Sequence, residues 1–198
     1  MRRWLLALIL LLALIAASAW WHIRAGMDTR SAPGSLETYV AQTVRAWSVP
    51  SKYKTLRNPA SCTEEVLGET REHWADHCAT CHANNGSGDT LLGRTMYPRP
   101  PDMRRPDTQN QSDGELYYVI KNGVRLTGMP AFGAPGDNDT SSWHLVCLIR
   151  HLPKMSAEEE LEMRRMNPKT PADLEEERQE AEFLNGASTP TPEHHHHP

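Results

Sequence analysis

Cys78-Ala79-Thr80-Cys81-His82 is the most informative segment of this 198-residue chain. Its spacing places two thiols on one turn of backbone, where each can form a thioether with a haem vinyl group, and it presents the following imidazole to the iron. A redox disulfide and a zinc site are the alternatives. The histidine directly after Cys81 and the lack of a βαβ pattern disfavour the disulfide. A zinc site usually has a second ligand pair, and the chain contains no second Cys-x-x-Cys. The segment therefore predicts one covalent haem.

A methionine loop with the sequence Gly-Met-Pro-Ala-Phe-Gly, containing Met129, follows downstream. Pro130 fixes its own φ and favours an extended backbone at Met129, so the loop can hold a thioether without a helix. With His82 on one face of the iron and Met129 on the other, the reduction potential is raised and no coordination position stays open. Met96 and Met103 are alternative ligands, and gap-filling in the core is the alternative role for Met129.

The chain from about Glu64 to Leu152 resembles a class I c-type cytochrome domain. The resemblance is carried, in the family's order, by Trp74, the peptide Cys78–His82, a helix opening at Ser112–Leu116, the turn Lys121–Val124, the methionine loop Thr127–Phe132 and a closing helix Trp143–Leu152.

The resemblance implies an all-α fold wrapped around one haem c, with electron transfer as the activity. It assigns Cys78 and Cys81 to haem attachment, and His82 and Met129 to the iron. The family often has a small residue where its terminal helices cross, but this chain has Thr70 there, with Gly68 nearby.

Helix signals in the same region agree with the all-α class. The predicted N-caps are Thr63, then Ser112 or Asp113, and finally Ser142. Gly123 is predicted to end the second of these helices, and Pro153 is predicted to end the third. The third helix has apolar residues on almost all of its faces, which indicates that it is buried. No segment has sustained strand alternation.

A proline-rich loop lies between the haem peptide and the second helix. Residues 97–102 read Tyr-Pro-Arg-Pro-Pro-Asp, which excludes a continuous helix. The family resemblance implies that the carbonyl of Pro100 or Pro101 accepts a hydrogen bond from Nδ1 of His82. An ordinary extended loop is the alternative.

The N-terminus predicts export. Arg2 and Arg3 precede an apolar run, and the 20 residues from Trp4 to Ile23 match the thickness of a bilayer core. The two positive charges predict a cytoplasmic N-terminus at a bacterial inner membrane, with the haem domain facing the periplasm. A cleaved signal peptide, with a site near Ala17-Ser18-Ala19, is the alternative to a retained anchor, which we favour.

The predicted organisation has four parts: residues 1–24 as a transmembrane anchor or uncleaved signal, 25–61 as a linker with a short helix, 62–153 as the haem domain, and 154–198 as an acidic, partly helical or disordered tail. The linker helix Leu36–Trp47 is expected to pack on the haem domain, with the membrane surface as the alternative. The tail carries a net charge of −6. Its helices, near residues 156–166 and 171–183, are expected to be solvated or docked by a few side chains, with a docking surface for a cationic partner as the alternative.

The chain as a whole has a formal net charge of −4 and no DNA-binding signature, so no nucleic acid partner is expected. Its length allows one small core plus appendages.

The residues outside the main motifs leave two questions open. Cys62 and Cys147 are expected to be independent thiols, with a disulfide as the alternative in an exported protein. His194–His197 are expected to be a disordered end or a tag remnant, with a divalent metal site as the alternative.

Three functions are compatible with these features. The favoured one is a membrane-tethered one-electron carrier, not an enzyme, between a dehydrogenase or quinol-oxidising complex and a terminal oxidase or another cytochrome. The second is the cytochrome subunit of a larger respiratory or dehydrogenase complex. A gas sensor or peroxidase is the third, and Met129 argues against it because both require an exchangeable face of the iron.

Overall fold

The computed structural model describes residues 2–24, 28–29, 31, 33–134, 136 and 139–184. The protein is 67% helical, and these ranges contain no β-strand. The predicted all-α class is therefore confirmed. His194–His197 lie outside the described residues.

The described helices are, in chain order, α1 (Arg2–Arg24), α2 (Ser35–Ser48), α3 (Ser51–Lys54), α4 (Glu64–His77), α5 (Ala79–His82), α6 (Leu91–Thr95), α7 (Pro106–Gln109), α8 (Asp113–Asn122), α9 (Thr140–His151), α10 (Ala157–Met166) and α11 (Pro171–Leu184), with a 3-10 turn at Leu152–Lys154 between α9 and α10.

The core forms where α9 packs against α4 and α8. Helix α9 is the most apolar of the three, and its residues from Leu145 to Ile149 are all buried, as its sequence pattern predicts. Trp74 of α4 and Tyr117 of α8 are buried in the same cluster, and Tyr117 stacks on Trp143 with ring centroids 4.1 Å apart. The core therefore connects α4, which leads into the haem peptide, with the closing helix α9.

Two of the predicted N-caps are confirmed, and one is wrong. Thr63 accepts a hydrogen bond from the N–H of Val66, and Ser112 forms a reciprocal capping box with Glu115. Helix α9, however, is capped by Asp139, and its carboxylate accepts hydrogen bonds from both the N–H and the hydroxyl of Ser142. Ser142 lies inside the helix because the carboxylate three residues before it provides the cap.

Cys62 and Cys147 form a disulfide, which corrects the expectation of independent thiols. The crossing of α4 and α9 brings the residue before the N-cap of α4 beside the middle of α9. Thr70, at the position where the family often has a small residue, is also buried here. A Cβ at Gly68 would meet nothing within 4 Å, so Gly68 is not the point at which α4 and α9 approach each other closely.

Helix α10 docks on α4. Met163 is completely buried, and Glu159 binds both Arg71 of α4, at 2.5 Å, and His151 of α9, at 2.8 Å. This part of the acidic tail is therefore docked. Leu174 and Phe183 of α11 are exposed.

The N-terminal helices contribute little to this core. Every residue of α1 is exposed, and this helix is long and apolar enough to cross a bilayer. The apolar face of α2 does not pack on the haem domain as expected: the side chains of Leu36, Tyr39, Val40, Val44 and Trp47 are all exposed. The helix contacts the domain through a polar group, because Glu37 accepts a hydrogen bond from the hydroxyl of Tyr97.

The segment after α2 does contact the core. Tyr53 of α3 packs against Tyr118 of α8, with ring centroids 4.9 Å apart. Asn58 donates a hydrogen bond to the carbonyl of Trp143 at 2.9 Å.

Candidate functional site

The haem peptide forms one helical turn directly after α4. The N–H of Cys78 donates to the carbonyl of Trp74 at 2.8 Å, and the N–H of His82 donates to the carbonyl of Cys78 at 2.9 Å. Cys78 and Cys81 are both free thiols, as attachment to a haem requires. The turn thus brings the two thiols and the imidazole of the predicted site together on α5 and its N-cap residue, Cys78.

The imidazole of His82 is only 8% exposed. Burial lowers its pKa to about 4, so the ring is neutral near pH 7, which is the form that coordinates a metal. Nδ1 is buried and has no hydrogen-bond partner. The predicted bond from Nδ1 to a proline carbonyl is therefore absent: the Pro100 carbonyl oxygen lies instead beside Gly88, 2.6 Å from where a Cβ would stand.

Trp74 supports this turn from α4. Its Nε1–H donates to the carbonyl of Ala83 at 3.0 Å, and its ring lies 6.0 Å from that of His82, centroid to centroid. Ala83, directly after the histidine, has a positive φ of 62°, a backbone conformation that is uncommon for residues other than glycine.

Burial shapes the thiol chemistry as well. It raises the pKa of Cys78 to about 12, with a smaller contribution from Cys81, and it raises the pKa of Cys81 itself. Both side chains are therefore thiols and not thiolates at neutral pH, which disfavours nucleophilic or redox-disulfide chemistry at this pair.

Met129 lies on a loop held by the end of α8. Its carbonyl accepts a hydrogen bond from the N–H of Val124 at 3.0 Å, and its N–H donates to Oγ1 of Thr127 at 3.1 Å. Gly123, at φ 66°, lies so close that a Cβ would stand 2.7 Å from the Met129 carbonyl oxygen. Local backbone contacts thus fix the position of the Met129 backbone.

Helix α6 bridges the haem peptide and the methionine loop. A Cβ on Gly93, in the middle of α6, would stand 2.8 Å from the carbonyl oxygen of Cys81. The methyl group of Met96, the residue directly after α6, packs on Gly128. The two predicted halves of the site therefore both contact this short helix or the residue that follows it. Met103, the other alternative ligand, is buried in the core cluster.

Apolar surface surrounds these elements. Leu91 and Leu92 of α6 are exposed, and Leu126, three residues before Met129, is 93% exposed. A mostly apolar ring bound here would cover such side chains. Free thiols, a neutral buried imidazole and exposed leucines together fit a covalently attached haem.

A family model described as "Cytochrome C oxidase, cbb3-type, subunit III" matches residues 66–146. The match covers under half of the chain, but it includes the haem peptide and the methionine loop. The matched segment is a class I c-type cytochrome domain. Such a domain carries haem c with its iron, and its activity is electron transfer. A comparison with curated proteins found no match.

The cytochrome domain also depends on contacts that the sequence motifs did not indicate. Gly93 and Gly123 allow the close approach of α6 and of the methionine loop, and Asp139 starts the closing helix. The two glycines are evident in the sequence, but their role depends on how the neighbouring loops fold back onto them. The sequence did not single out Glu159, because its partners Arg71 and His151 lie on other helices.

Proposed function

We propose that the protein is a one-electron carrier whose haem is attached through Cys78 and Cys81 and whose iron is bound by His82 and Met129. The observation that carries the proposal is the arrangement around α6, which contacts the haem peptide at Gly93 and the methionine loop through Met96. A thioether and an imidazole on opposite faces of the haem iron raise its reduction potential and leave no coordination position for a substrate. The iron then exchanges electrons only.

Met129 is preferred over Met96 because of its backbone. Two hydrogen bonds and the contact with Gly123 hold Met129 in place, which reduces the entropy lost when its sulfur binds the iron. Met96 follows the last residue of α6, and its side chain already packs on Gly128. Its role is then to support the methionine loop.

Ligation is tested by visible and far-red spectra of the oxidised and reduced holoprotein. Met129→Ala should lose the sulfur-to-iron charge-transfer band and bind carbon monoxide when reduced, whereas the matched variant Met96→Ala should keep the band. If only Met96→Ala loses it, Met96 is the ligand. If the wild type binds carbon monoxide readily, the protein has a sensing or catalytic function and is not a simple electron carrier.

We also propose that α1 is a retained anchor in a bacterial inner membrane, with the N-terminus cytoplasmic and the haem domain periplasmic. Its length, its complete exposure and the positive charges of Arg2 and Arg3 support this orientation. Tethering raises the effective concentration of a membrane partner without any new contact. Protease added to intact spheroplasts should digest the haem domain, and digestion only after lysis would contradict the topology.

The family description favours a terminal oxidase as the electron acceptor. The oxidase is either a transient partner of the protein or a complex of which the protein is a subunit. A dehydrogenase or quinol-oxidising complex is the expected electron donor. Purification of the full chain in mild detergent distinguishes the two arrangements. A subunit would co-purify with oxidase polypeptides at high salt, whereas a mobile carrier would dissociate.

A further inference from the structure

A pair of histidines lies on the last turn of α4, directly before the haem peptide. His73 and His77 are four residues apart, so they share one face of the helix. Their rings stand edge to face with centroids 5.1 Å apart. Two histidines at this spacing on a helix can bind one metal ion together.

A carboxylate orients one of the two rings. Oδ2 of Asp76 lies 3.3 Å from Nδ1 of His77. A carboxylate at Nδ1 favours the tautomer that carries the proton there, which leaves the Nε2 lone pair of His77 available. Metal-binding histidines commonly have such a partner.

The pair is accessible, and His73 is in the binding form. The His77 side chain is 52% exposed, and His73 is half-buried. Burial and, to a smaller extent, the neighbouring His77 lower the pKa of His73, so the ring of His73 is neutral near pH 7. The described residues contain no group of three or more His, Cys, Asp or Glu side chains arranged for a metal, so water would complete the coordination.

We propose that His73 and His77 form a surface site for a late first-row divalent cation, with Cu²⁺ bound more tightly than Ni²⁺ or Zn²⁺. The preference follows from imidazole ligands and from the general order of divalent stability. The site is separate from the iron ligands, and it does not depend on which methionine binds the iron. Because His77 directly precedes Cys78, a bound cation would lie beside the haem peptide.

The test uses the full-length holoprotein in detergent. Since His194–His197 can bind metal themselves, all four are first replaced by alanine. Cu²⁺ is then titrated by equilibrium dialysis, and the bound ion is examined by electron paramagnetic resonance. We expect one Cu²⁺ per chain in this background, with nitrogen hyperfine structure. His73→Gln and His77→Gln should abolish binding, and Asp76→Asn should weaken it about tenfold.

His144→Gln is the matched control, because it removes a single histidine from α9 and should leave the binding unchanged. An unaltered haem absorbance spectrum in each variant shows that the domain is folded. The proposal is overturned if the tail-substituted protein binds no Cu²⁺. It is also overturned if the double variant His73→Gln, His77→Gln retains full affinity.

Discussion

Cys62 and Cys147 are joined by a disulfide across the crossing of α4 and α9, with their Cα atoms 5.4 Å apart. The two residues are separated by 85 positions, and the intervening chain contains both the haem peptide and the methionine loop. A cross-link that closes so long a loop removes much of the conformational freedom of the unfolded chain. The disulfide therefore restricts the segment that wraps the cofactor.

Replacing both cysteines, as Cys62→Ser with Cys147→Ser, should lower the free energy of unfolding by about 2–5 kcal/mol. The double variant avoids a lone thiol that could pair with Cys78 or Cys81 before haem attachment. Guanidinium unfolding of the holoprotein, followed by circular dichroism, measures the loss. Reductant should destabilise the wild type and leave the variant unaffected; equal midpoints for the two oxidised proteins would exclude a stabilising role.

Local features were predictable from the sequence. Thr63 and Ser112 cap their helices through hydrogen bonds to residues three positions later. The residues that predict each cap are therefore the same residues that form it. Ser142 shows the limit of this argument: it has the chemistry of an N-cap, but Asp139 accepts hydrogen bonds from its N–H and hydroxyl. Ser142 therefore donates to the cap instead of forming it.

Relationships between distant segments were not predictable. The disulfide, the docking of α10 and the exposure of the apolar face of α2 all depend on how helices cross, which periodicity does not specify. The position of α6 between the haem peptide and the methionine loop is of the same kind. Gly93 and Met96 carry no motif, and their contacts with Cys81 and Gly128 follow only from the three-dimensional fold.

Gly123→Ala should disturb the methionine loop. Gly123 has φ 66°, and an added Cβ would stand 2.6 Å from the carbonyl carbon of Pro130 and 2.7 Å from the carbonyl oxygen of Met129. Strain of this kind costs roughly 1–3 kcal/mol. If Met129 binds the iron, the far-red charge-transfer band should also weaken. Thermal unfolding and the absorbance spectrum provide the two measurements.

Gly68→Ala is the control for this substitution. A Cβ there would meet nothing within 4 Å, and alanine in a helix interior is more favourable than glycine by roughly 0.5–1 kcal/mol. The control should therefore be as stable as the wild type or more so, with an unchanged spectrum. Equal stability of the Gly123→Ala and Gly68→Ala proteins would show that the close approach at Gly123 is not a constraint.

Acid should weaken the docking of α10 through Glu159. Burial alone would raise the pKa of Glu159, but the N–H of Ser156, the imidazole of His151 and the guanidinium of Arg71 together lower it. Because the folded pKa lies below the unfolded value of about 4.3, the carboxylate stabilises the fold above that pH. This stabilisation is lost as the pH falls through the folded pKa.

Glu159→Gln tests this dependence, because it removes the titrating group while keeping its shape. The variant should be less stable than the wild type by roughly 1 kcal/mol at neutral pH. Its melting temperature should fall less steeply on acidification. Glu162→Gln, an exposed position on the same helix, should follow the wild-type curve. Identical acid dependence in the wild type and Glu159→Gln would assign the effect to other carboxyl groups.

Met163→Ala should detach α10 from the haem domain. Met163 is completely buried, and truncating a buried methionine to alanine costs about 2–5 kcal/mol because it removes apolar contact and leaves a cavity. Helix α10 is short and rich in charge, so apart from Met163 it is held mainly by the contacts of Glu159 with Arg71 and His151. Limited proteolysis should then cleave the variant within α10, while the haem spectrum stays close to that of the wild type.

Leu161→Ala is the matched substitution on the same helix. Leu161 is 52% exposed, so its loss should change stability by only a few tenths of a kcal/mol. Rapid cleavage of both variants would indicate that α10 is not docked through its buried face. Protection of both would indicate that the contacts of Glu159 with Arg71 and His151 hold the helix without Met163. Cleavage of Met163→Ala alone assigns the docking to the buried thioether.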